Sequence, residues 1–429
     1  METIFALASG PGKSGIAVIR ISGMRAFPAA EMLGAKPSSN RQHRLCILHN
    51  QDGEVLDQAL VLGFPAPGSF TGEDVVELQL HGSPAIVHSV MAELSQLYGL
   101  RQAEPGEFTR RALENSKMNL AQVEGLADLI DAETEGQRIQ AQRVFAGQLG
   151  DKVDRWRDRL LRSSALIEAM IDFADEDIPF SVSREVENLL IDVRTELQQE
   201  TDGVNIAERI RDGFEVAIVG KPNVGKSTLL NALTGRQAAL TSDMVGTTRD
   251  VIEVRMDLAG LPVTLLDTAG IRETSDMVEE LGISATRKRA ATADLRVFLV
   301  DQDGPPMDVE PKDDDIIVRG KADIETDEKD NVSGVTGQGI DRLIAQIGDV
   351  LSQRAAGAGT AIRRRHADAM RCAITSLDNA LAILSTSPDQ YDITAEEIRA
   401  AIRALETIVG RIEVEDIFDE IFSRFCIGK

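Results

Sequence analysis

Residues 220–228 read Gly-Lys-Pro-Asn-Val-Gly-Lys-Ser-Thr, and this stretch decides the fold of the region around it. It follows the apolar run 215–219 and precedes the helical pattern 229–233, which is the context of a phosphate-binding loop. Its glycines let backbone N–H groups converge on phosphates, and the helix start adds a favourable potential. Lys226 is therefore predicted to contact the β- and γ-phosphates of a nucleotide, and Ser227 to bind Mg²⁺. A chance glycine-rich turn would not be flanked in this way.

Two shorter motifs follow in the order that a GTPase requires. An apolar strand over 263–266 ends at Asp267, whose carboxylate can orient a Mg²⁺-bound water, and the N–H of Gly270 can sense the γ-phosphate. Thr248, in the stretch 246–250, is the candidate switch threonine that completes the Mg²⁺ shell. The series resembles a translation-factor-related GTPase domain. The predicted nucleotide contacts in these motifs are Asn223, Val224, Gly225, Lys226, Ser227, Thr228, Ser242, Asp243, Met244, Val245, Gly246, Thr247, Thr248, Asp267, Thr268, Ala269 and Gly270.

Base recognition is expected from residues 320–323, which read Gly-Lys-Ala-Asp where such GTPases usually carry Asn-Lys-x-Asp. Asp323 keeps the carboxylate that accepts hydrogen bonds from guanine, so guanine preference is expected to survive. The usual Asn also braces the phosphate loop, and Gly320 replaces it. We therefore predict weak nucleotide binding, in the micromolar range or poorer. The predicted base-side contacts are Lys321, Asp323, Ser333, Gly334 and Val335, the last three standing where Ser-Ala-Lys is common.

The pattern of elements predicts a multidomain chain with α+β, all-α and α/β parts. Residues 1–118 alternate short strands and turns, and 119–212 carry apolar residues at helical spacing, continuously over 121–149. Residues 213–354 alternate strands and helices as an inserted α/β domain, and 355–429 are helical again. Thr394 and Glu397 predict a capping box that opens the last helix.

Composition excludes several function classes. The 429 residues include 46 basic and 70 acidic ones, a net charge of −24, so bulk electrostatics does not hold nucleic acid. Three scattered cysteines (Cys46, Cys372, Cys426) form no disulfide framework, and the histidine spacing predicts no transition metal. No apolar run reaches the length of a bilayer span, and no signal peptide is evident, so a cytoplasmic protein without a membrane partner is expected.

Four sequence segments carry a family resemblance, together with the insertion of a GTPase domain into a helical domain. They are GIAVIRISG (15–23), SFTGEDVVE (69–77), PGEFT (105–109) and IFSRFCIGK (421–429). Along its whole length the chain closely resembles the MnmE (TrmE) family of tRNA modification GTPases. The resemblance implies joint action with an FAD-dependent partner, MnmG, as a heterotetramer, with FAD entering only through that partner. The pair places a carboxymethylaminomethyl or aminomethyl group at C5 of the wobble uridine (U34) of certain tRNAs.

The resemblance also implies a folate site in an N-terminal domain that forms a homodimer. The ligand is a tetrahydrofolate, as its 5,10-methylene or 5-formyl derivative, which supplies a one-carbon unit. The implied folate contacts are Arg20, Glu77, Lys117 and Lys429. Without the resemblance, Arg20 and Lys117 would be interpreted as ordinary surface charges. Cys426 is either a thiol for tRNA chemistry or a small buried residue at a helix end.

For GTP hydrolysis the resemblance implies K⁺ in the place of an arginine finger, with the G domains of a dimer meeting across it. The implied K⁺ ligands are Asn223, Ser242, Met244 through its carbonyl, and Thr247. The implied catalytic residues are Glu279, which orients the attacking water, with Lys226 and Thr248. From sequence alone Glu279 would be one of many acidic helix residues.

Two other functions remain open from the residues alone. A regulatory switch GTPase in ribosome assembly would share the nucleotide motifs but would need an RNA-binding module. A folate-binding scaffold with a decayed nucleotide site would fit Gly320 and Gly334 but not the intact Lys226 and Asp267. The basic runs 287–289 and 363–365 are candidate tRNA contacts, although solvated helix faces are the preferred interpretation.

Overall fold

The computed structural model describes residues 2–172, 180–221, 223–236, 253–267, 289–301, 304, 311–323, 331–386, 390–411, 421–422, 425 and 427–428, without the side chains of 180, 181, 236, 253 and 267. The chain divides into two compact units. Unit 1 comprises Met1–Ala127 with Glu406–Lys429, and unit 2 comprises Asp128–Leu405. The domain boundaries at 118, 212 and 354 stay a prediction.

Unit 1 is built around a six-stranded sheet in the order β3-β4-β5-β2-β1-β6. Neighbouring strands are antiparallel except for β1 and β6, which are parallel. Strand pairing brings Ala6 opposite Arg20, and Arg20 opposite Glu77. The strands are β1 (Thr3–Leu7), β2 (Ile16–Ser22), β3 (Arg44–His49), β4 (Val55–Phe64), β5 (Val75–His81) and β6 (Leu100–Gln102).

Helices lie on both faces of this sheet and complete the α+β fold that the sequence predicts for this region. The helices α1 (Ala26–Met32) and α2 (Pro84–Gln96) cover one face, and α3 (Glu107–Glu114) packs through Phe108 on Ile4 and Ala6 of the other. The shared core contains Phe5 and Ile19 from the sheet and Leu94 from α2, all fully buried. Strand side chains alternate between this core and the opposite face, as period-two patterning requires.

The helical region of the chain is interrupted where the sequence predicts continuity over 121–149. The helices are α4 (Leu120–Asp131), α5 (Glu135–Phe145), α6 (Gln148–Asp172) and α7 (Phe180–Asp212). Thr134 begins α5 with a capping box that Gln137 completes. Gly147, at φ +92°, separates α5 from α6. A helical hydrophobic period does not reveal such breaks, because the apolar spacing continues across them.

The G region of unit 2 is a five-stranded sheet in the order β11-β10-β7-β9-β8. All pairs are parallel except β8 with β9, which confirms the predicted α/β class. The strands are β7 (Phe214–Val219), β8 (Glu253–Leu258), β9 (Leu261–Asp267), β10 (Leu295–Val300) and β11 (Ile316–Arg319). The helices described in this region include α8 (Lys226–Arg236) and α9 (Ile340–Ala355), whose apolar faces pack on the sheet.

Two long helices follow, α10 (Arg364–Thr386) and α11 (Tyr391–Val409), and α10 packs along α7. The predicted capping box at the start of α11 is wrong. The helix begins three residues earlier, and Thr394 Oγ1 donates to the Gln390 carbonyl at 3.2 Å from within the first turn. Glu397 instead accepts a hydrogen bond from Asn379 of α10 at 3.4 Å. None of the helices within the described ranges has the length and apolar content of a bilayer-crossing segment.

Candidate functional sites

The phosphate loop joins the carboxyl end of β7 to the first residue of α8, as the sequence predicts. Asn223 (φ +62°) and Gly225 (φ +106°) have left-handed backbones, a conformation that glycine and asparagine accept most readily. A Cβ on Gly220 would collide with the Leu299 carbonyl of β10. The loop conformation therefore depends on a few residues that tolerate close backbone approach.

Lys226 is held inside this loop. Its side chain is buried, with 5% of the residue exposed. The Nζ atom donates to the carbonyl oxygens of Gly220 at 2.7 Å and Lys221 at 2.8 Å. Lys221 in turn pairs with Asp301, just after β10, at 3.2 Å. The amine is thus oriented by the loop backbone at the start of α8, where the N–H groups of the first turn are directed outward.

The two predicted base-recognition segments lie side by side. Ser333 Oγ donates to Asp323 Oδ1 at 2.8 Å, which joins the Gly-Lys-Ala-Asp segment to the Ser-Gly-Val segment. Ser333 is buried, whereas Asp323, Lys321 and Val335 are exposed. Lys321 has a left-handed backbone at φ +61°, which places it in a tight turn. The carboxylate that the sequence assigns to guanine is thus held by a neighbouring hydroxyl at the carboxyl edge of the sheet.

In unit 1, Arg20 and Glu77 form a cross-strand ion pair at 2.9 Å. The guanidinium carbon lies 5.3 Å from the centroid of the Phe70 ring and 5.7 Å from that of Phe108, within the range of cation–π attraction. A cation, a carboxylate and two aromatic rings therefore share one corner of the sheet.

Lys117 approaches the same corner from the end of α3. Its Cε lies 3.1 Å from the place that a Cβ on Gly72 would occupy, and Asn115 Nδ2 donates to the Thr71 carbonyl at 2.7 Å. The segment that carries Phe70 therefore connects Arg20 with Lys117. The structure brings together three of the four predicted folate residues around this segment.

The C-terminal segment reaches β1 of the same unit. Ile427 forms an isolated antiparallel bridge with Pro105, and Gly428 packs so tightly on the Leu7 carbonyl that a Cβ there would collide with it. Leu7 is adjacent to Ala6, the register partner of Arg20. The residues next to Lys429 are therefore located beside the folate candidate, while Lys429 and Cys426 themselves lie outside the described residues.

Several other predicted site residues also lie outside the described part of the chain, and their roles stay predictions. They are Ser242, Asp243, Met244, Val245, Gly246, Thr247, Thr248, Thr268, Ala269, Gly270 and Glu279, with the side chain of Asp267. Of the two basic runs, Arg289 pairs with Glu215 at 2.9 Å and Arg363 with Asp128 at 2.7 Å. Both arginines thus make intramolecular ion pairs.

Sequence reasoning missed a buried charge network beside the folate candidate. Arg111 binds Glu73 at 3.0 Å and Glu107 at 2.9 Å, and Arg101 binds Glu107 at 2.6 Å. Burial raises the pKa of the Glu107 carboxyl, but hydrogen bonds from Arg101, the Glu104 N–H and Arg111 outweigh it and lower the pKa to about 2. The i,i+4 spacing of Glu107 and Arg111 was the one signal that could have indicated part of this network.

Comparison with known proteins places the whole chain in one group. Residues 120–426 match the family described as MnmE helical domain, and residues 3–117 match GTP-binding protein TrmE N-terminus. The chain is 59% identical to the tRNA modification GTPase MnmE of Ruegeria pomeroyi, over 100% of both chains. The MnmE proteins of Roseobacter denitrificans and Jannaschia sp. are 56% and 49% identical, again over 100% of both chains.

Two similar solved structures each match about a third of the chain. Aquifex aeolicus Era bound to GDP·AlF₄⁻ is 28% identical over 32% of this chain and 56% of that one, with a TM-score of 0.26. The G domain of the T. maritima FeoB iron transporter is 25% identical over 32% of this chain and 98% of that one, with a TM-score of 0.24.

Proposed function

The chain belongs to the MnmE family of tRNA modification GTPases, and we propose that its GTP cycle drives modification of the wobble uridine of tRNA. The partner is the FAD-dependent MnmG, in a heterotetramer, and the product carries a carboxymethylaminomethyl or aminomethyl group at C5 of U34. The observation that carries the proposal is full-length similarity to MnmE proteins. We place this activity in the cytoplasm.

In the nucleotide site, Asp323 accepts hydrogen bonds from N1–H and the 2-amino group of guanine. Its bond from Ser333 at 2.8 Å supports this role, because it orients the carboxylate before the base arrives. Lys226 contacts the β- and γ-phosphates, and Ser227 and Thr248 would hold Mg²⁺, which would neutralise developing phosphate charge. Glu279 orients the attacking water.

Asn223 contributes to a K⁺ site in the phosphate loop. An amide oxygen is a ligand that a hard monovalent cation accepts. The side chain of Asn223 is exposed, on a left-handed backbone at φ +62°, and its accessibility supports this role. The remaining ligands are Ser242, the Met244 carbonyl and Thr247. In this site K⁺ would supply positive charge against the phosphates, where other GTPases use an arginine.

Tetrahydrofolate binds at the corner formed by Arg20, Glu77 and Lys117, with Lys429 at the end of the adjoining tail. The donor set fits the ligand: a carboxylate can accept from the pterin amino group, aromatic rings can pack on its flat face, and cations can meet its glutamate. The phenyl rings of Phe70 and Phe108, within 5.7 Å of the Arg20 guanidinium, support this assignment.

Unit 1 also mediates homodimer formation. Leu45 and Ile47 lie on one face of the sheet-edge strand β3 and are 65% and 49% exposed. A sheet-edge strand with exposed apolar side chains is suited to pairing with a second chain.

The first experiment is steady-state hydrolysis of GTP and ATP by the full chain, in KCl and then in NaCl. We expect turnover that is selective for GTP and collapses in NaCl. The Asn223→Ala variant should lose the K⁺ stimulation by about tenfold or more, whereas Asn231→Ala, an exposed asparagine of α8, should not.

Each other outcome has a defined meaning. Equal GTP turnover in both salts would remove the K⁺ site and favour an ordinary switch GTPase. Absence of turnover in either salt would favour a folate scaffold with an inactive nucleotide site. Separately, mass spectrometry of tRNA from cells that lack the chain should find unmodified C5 on the wobble uridine, and an intact substituent would refute the role in modification.

A further inference from the structure

Position 320 faces the phosphate loop across a short gap. A Cβ built on Gly320 would lie 3.0 Å from the Val224 carbonyl oxygen and 3.3 Å from Leu299 Cδ1. The amide of an asparagine at this position would therefore be within reach of the Val224 carbonyl. With glycine there, no side chain of residue 320 links the base-recognition segment to the phosphate loop.

Position 334 packs still more closely, against the start of α8 directly after the phosphate loop. A Cβ on Gly334 would lie 2.6 Å from the Thr228 carbonyl oxygen and 2.9 Å from the Leu229 nitrogen. Both are backbone atoms of the first turn of α8, where Leu229 N–H donates to the Gly225 carbonyl at 2.9 Å. Real Cβ contacts do not fall below 3.0 Å, so any side chain at 334 would push this segment away from α8.

Such a displacement would be transmitted to Asp323. Ser333 N–H donates to the Gln338 carbonyl at 2.9 Å, and Gly337 N–H donates to the Ser333 carbonyl at 2.9 Å. The Ser333 hydroxyl accepts a hydrogen bond from the Thr336 N–H at 3.2 Å and donates one to Asp323. Residues 333–338 thus form one hydrogen-bonded turn that moves as a body and contacts the guanine-recognising carboxylate directly.

We propose that direct backbone packing of Gly334 on α8 holds the guanine-binding segments against the phosphate loop and replaces the side-chain brace that Gly320 cannot supply. Gly334 is then a positioning residue for guanine recognition, and the two glycines are energetically coupled. The proposal rests on the assignment of Asp323 to guanine made above. The glycine at position 334, which differs from the alanine common there, would then keep the base-recognition segments in contact with α8.

The test measures dissociation constants of the full chain for GDP and IDP by competition with a fluorescent GDP analogue. IDP lacks the 2-amino group, so the IDP-to-GDP ratio reports the Asp323 contact. Gly334→Ala should weaken GDP binding by about tenfold or more, the equivalent of one charged hydrogen bond, and should reduce that ratio toward one. Gly235→Ala is the matched control, because its Cβ would meet nothing within 4 Å in the same domain.

Coupling is tested with Gly320→Asn. In the native background it should tighten GDP by only about two- to tenfold, because the segments are already held. In the Gly334→Ala background, Gly320→Asn should tighten GDP binding by a larger factor, because the asparagine side chain is then the main contact between the two segments. If Gly334→Ala fails to fold, the single Gly320→Asn variant still decides, since tightening far beyond tenfold would mean that Gly334 holds nothing.

Two results separate the failure of this inference from failure of the guanine site. If the native chain distinguishes GDP from IDP and Gly334→Ala does so equally well, the packing at 334 has no positioning role. If the native chain does not distinguish them, the assignment of Asp323 is wrong and the inference falls with it. Equal effects of Gly320→Asn in both backgrounds would refute the coupling.

Discussion

Glu200 of α7 binds the segment that leads from the G region into α10, and its removal should loosen that connection. Its Oε2 accepts from Thr360 N–H at 2.9 Å, Thr360 Oγ1 at 2.9 Å and Ala361 N–H at 3.3 Å. Its Oε1 accepts from Lys152 of α6. Burial raises the pKa of Glu200, but the bond and charge of Lys152 and the bonds from Thr360 lower it by more, so the carboxylate stays ionised at neutral pH.

The magnitude follows from the donors that Glu200→Ala would leave behind. Lys152 is partly exposed and can be rehydrated, and the Thr360 hydroxyl can rotate. The two backbone N–H groups are less easily satisfied, because Ala361 is fully buried. At about 1–3 kcal/mol for each unsatisfied buried group, we expect a loss of about 3 kcal/mol. Glu200→Gln keeps one oxygen acceptor and should lose roughly half as much.

Calorimetry of the full chain measures this effect. The transition of unit 2 is identified by its upward shift on addition of GDP, since a ligand stabilises the unit that binds it. Glu200→Ala should lower its midpoint by roughly 6–12 °C, and Glu200→Gln by less. Asp202→Asn, an exposed acid on the same helix, is the control and should change it little. A midpoint within about 2 °C of the native value for Glu200→Ala would refute the anchoring role.

Two further predictions concern unit 1. The pKa of Glu107 lies at about 2, below its ordinary value of 4.5, so its stabilisation is complete above pH 4.5 and is lost as the pH falls toward 2. Glu107→Gln should therefore cost about 2 kcal/mol at pH 7 and flatten the acid-unfolding curve of unit 1, and an unchanged curve would contradict the network. Arg20→Ala should weaken binding of 5-formyl-tetrahydrofolate by about tenfold or more in calorimetric titration, because it removes a charged partner and leaves Glu77 unpaired. The exposed Arg44→Ala is its control, and equal affinity in both variants would remove Arg20 from the folate site.

Local pattern was enough where the chemistry is local. The phosphate loop could be predicted because glycine spacing, a preceding apolar strand and a following helix are adjacent in sequence. The capping box predicted at Thr394 failed for the complementary reason. Thr394 and Glu397 have the spacing of a capping box, but both lie inside a helix that begins at Tyr391. The helix breaks at Thr134 and Gly147 were equally invisible, because the hydrophobic spacing on either side is alike.

Residue patterns were enough to predict the classes of structure along the chain and the place of the phosphate loop, and they also predict Asp323 as the base-recognising carboxylate. The tertiary structure was needed to show that Arg20 pairs with Glu77 close to two phenyl rings, and that Gly334 packs on the backbone of α8. Those contacts join residues far apart in the chain, and they depend on strand register and on how closely two backbone segments pack. Neither quantity is encoded in the spacing of residues along a single segment, so neither could be predicted from it.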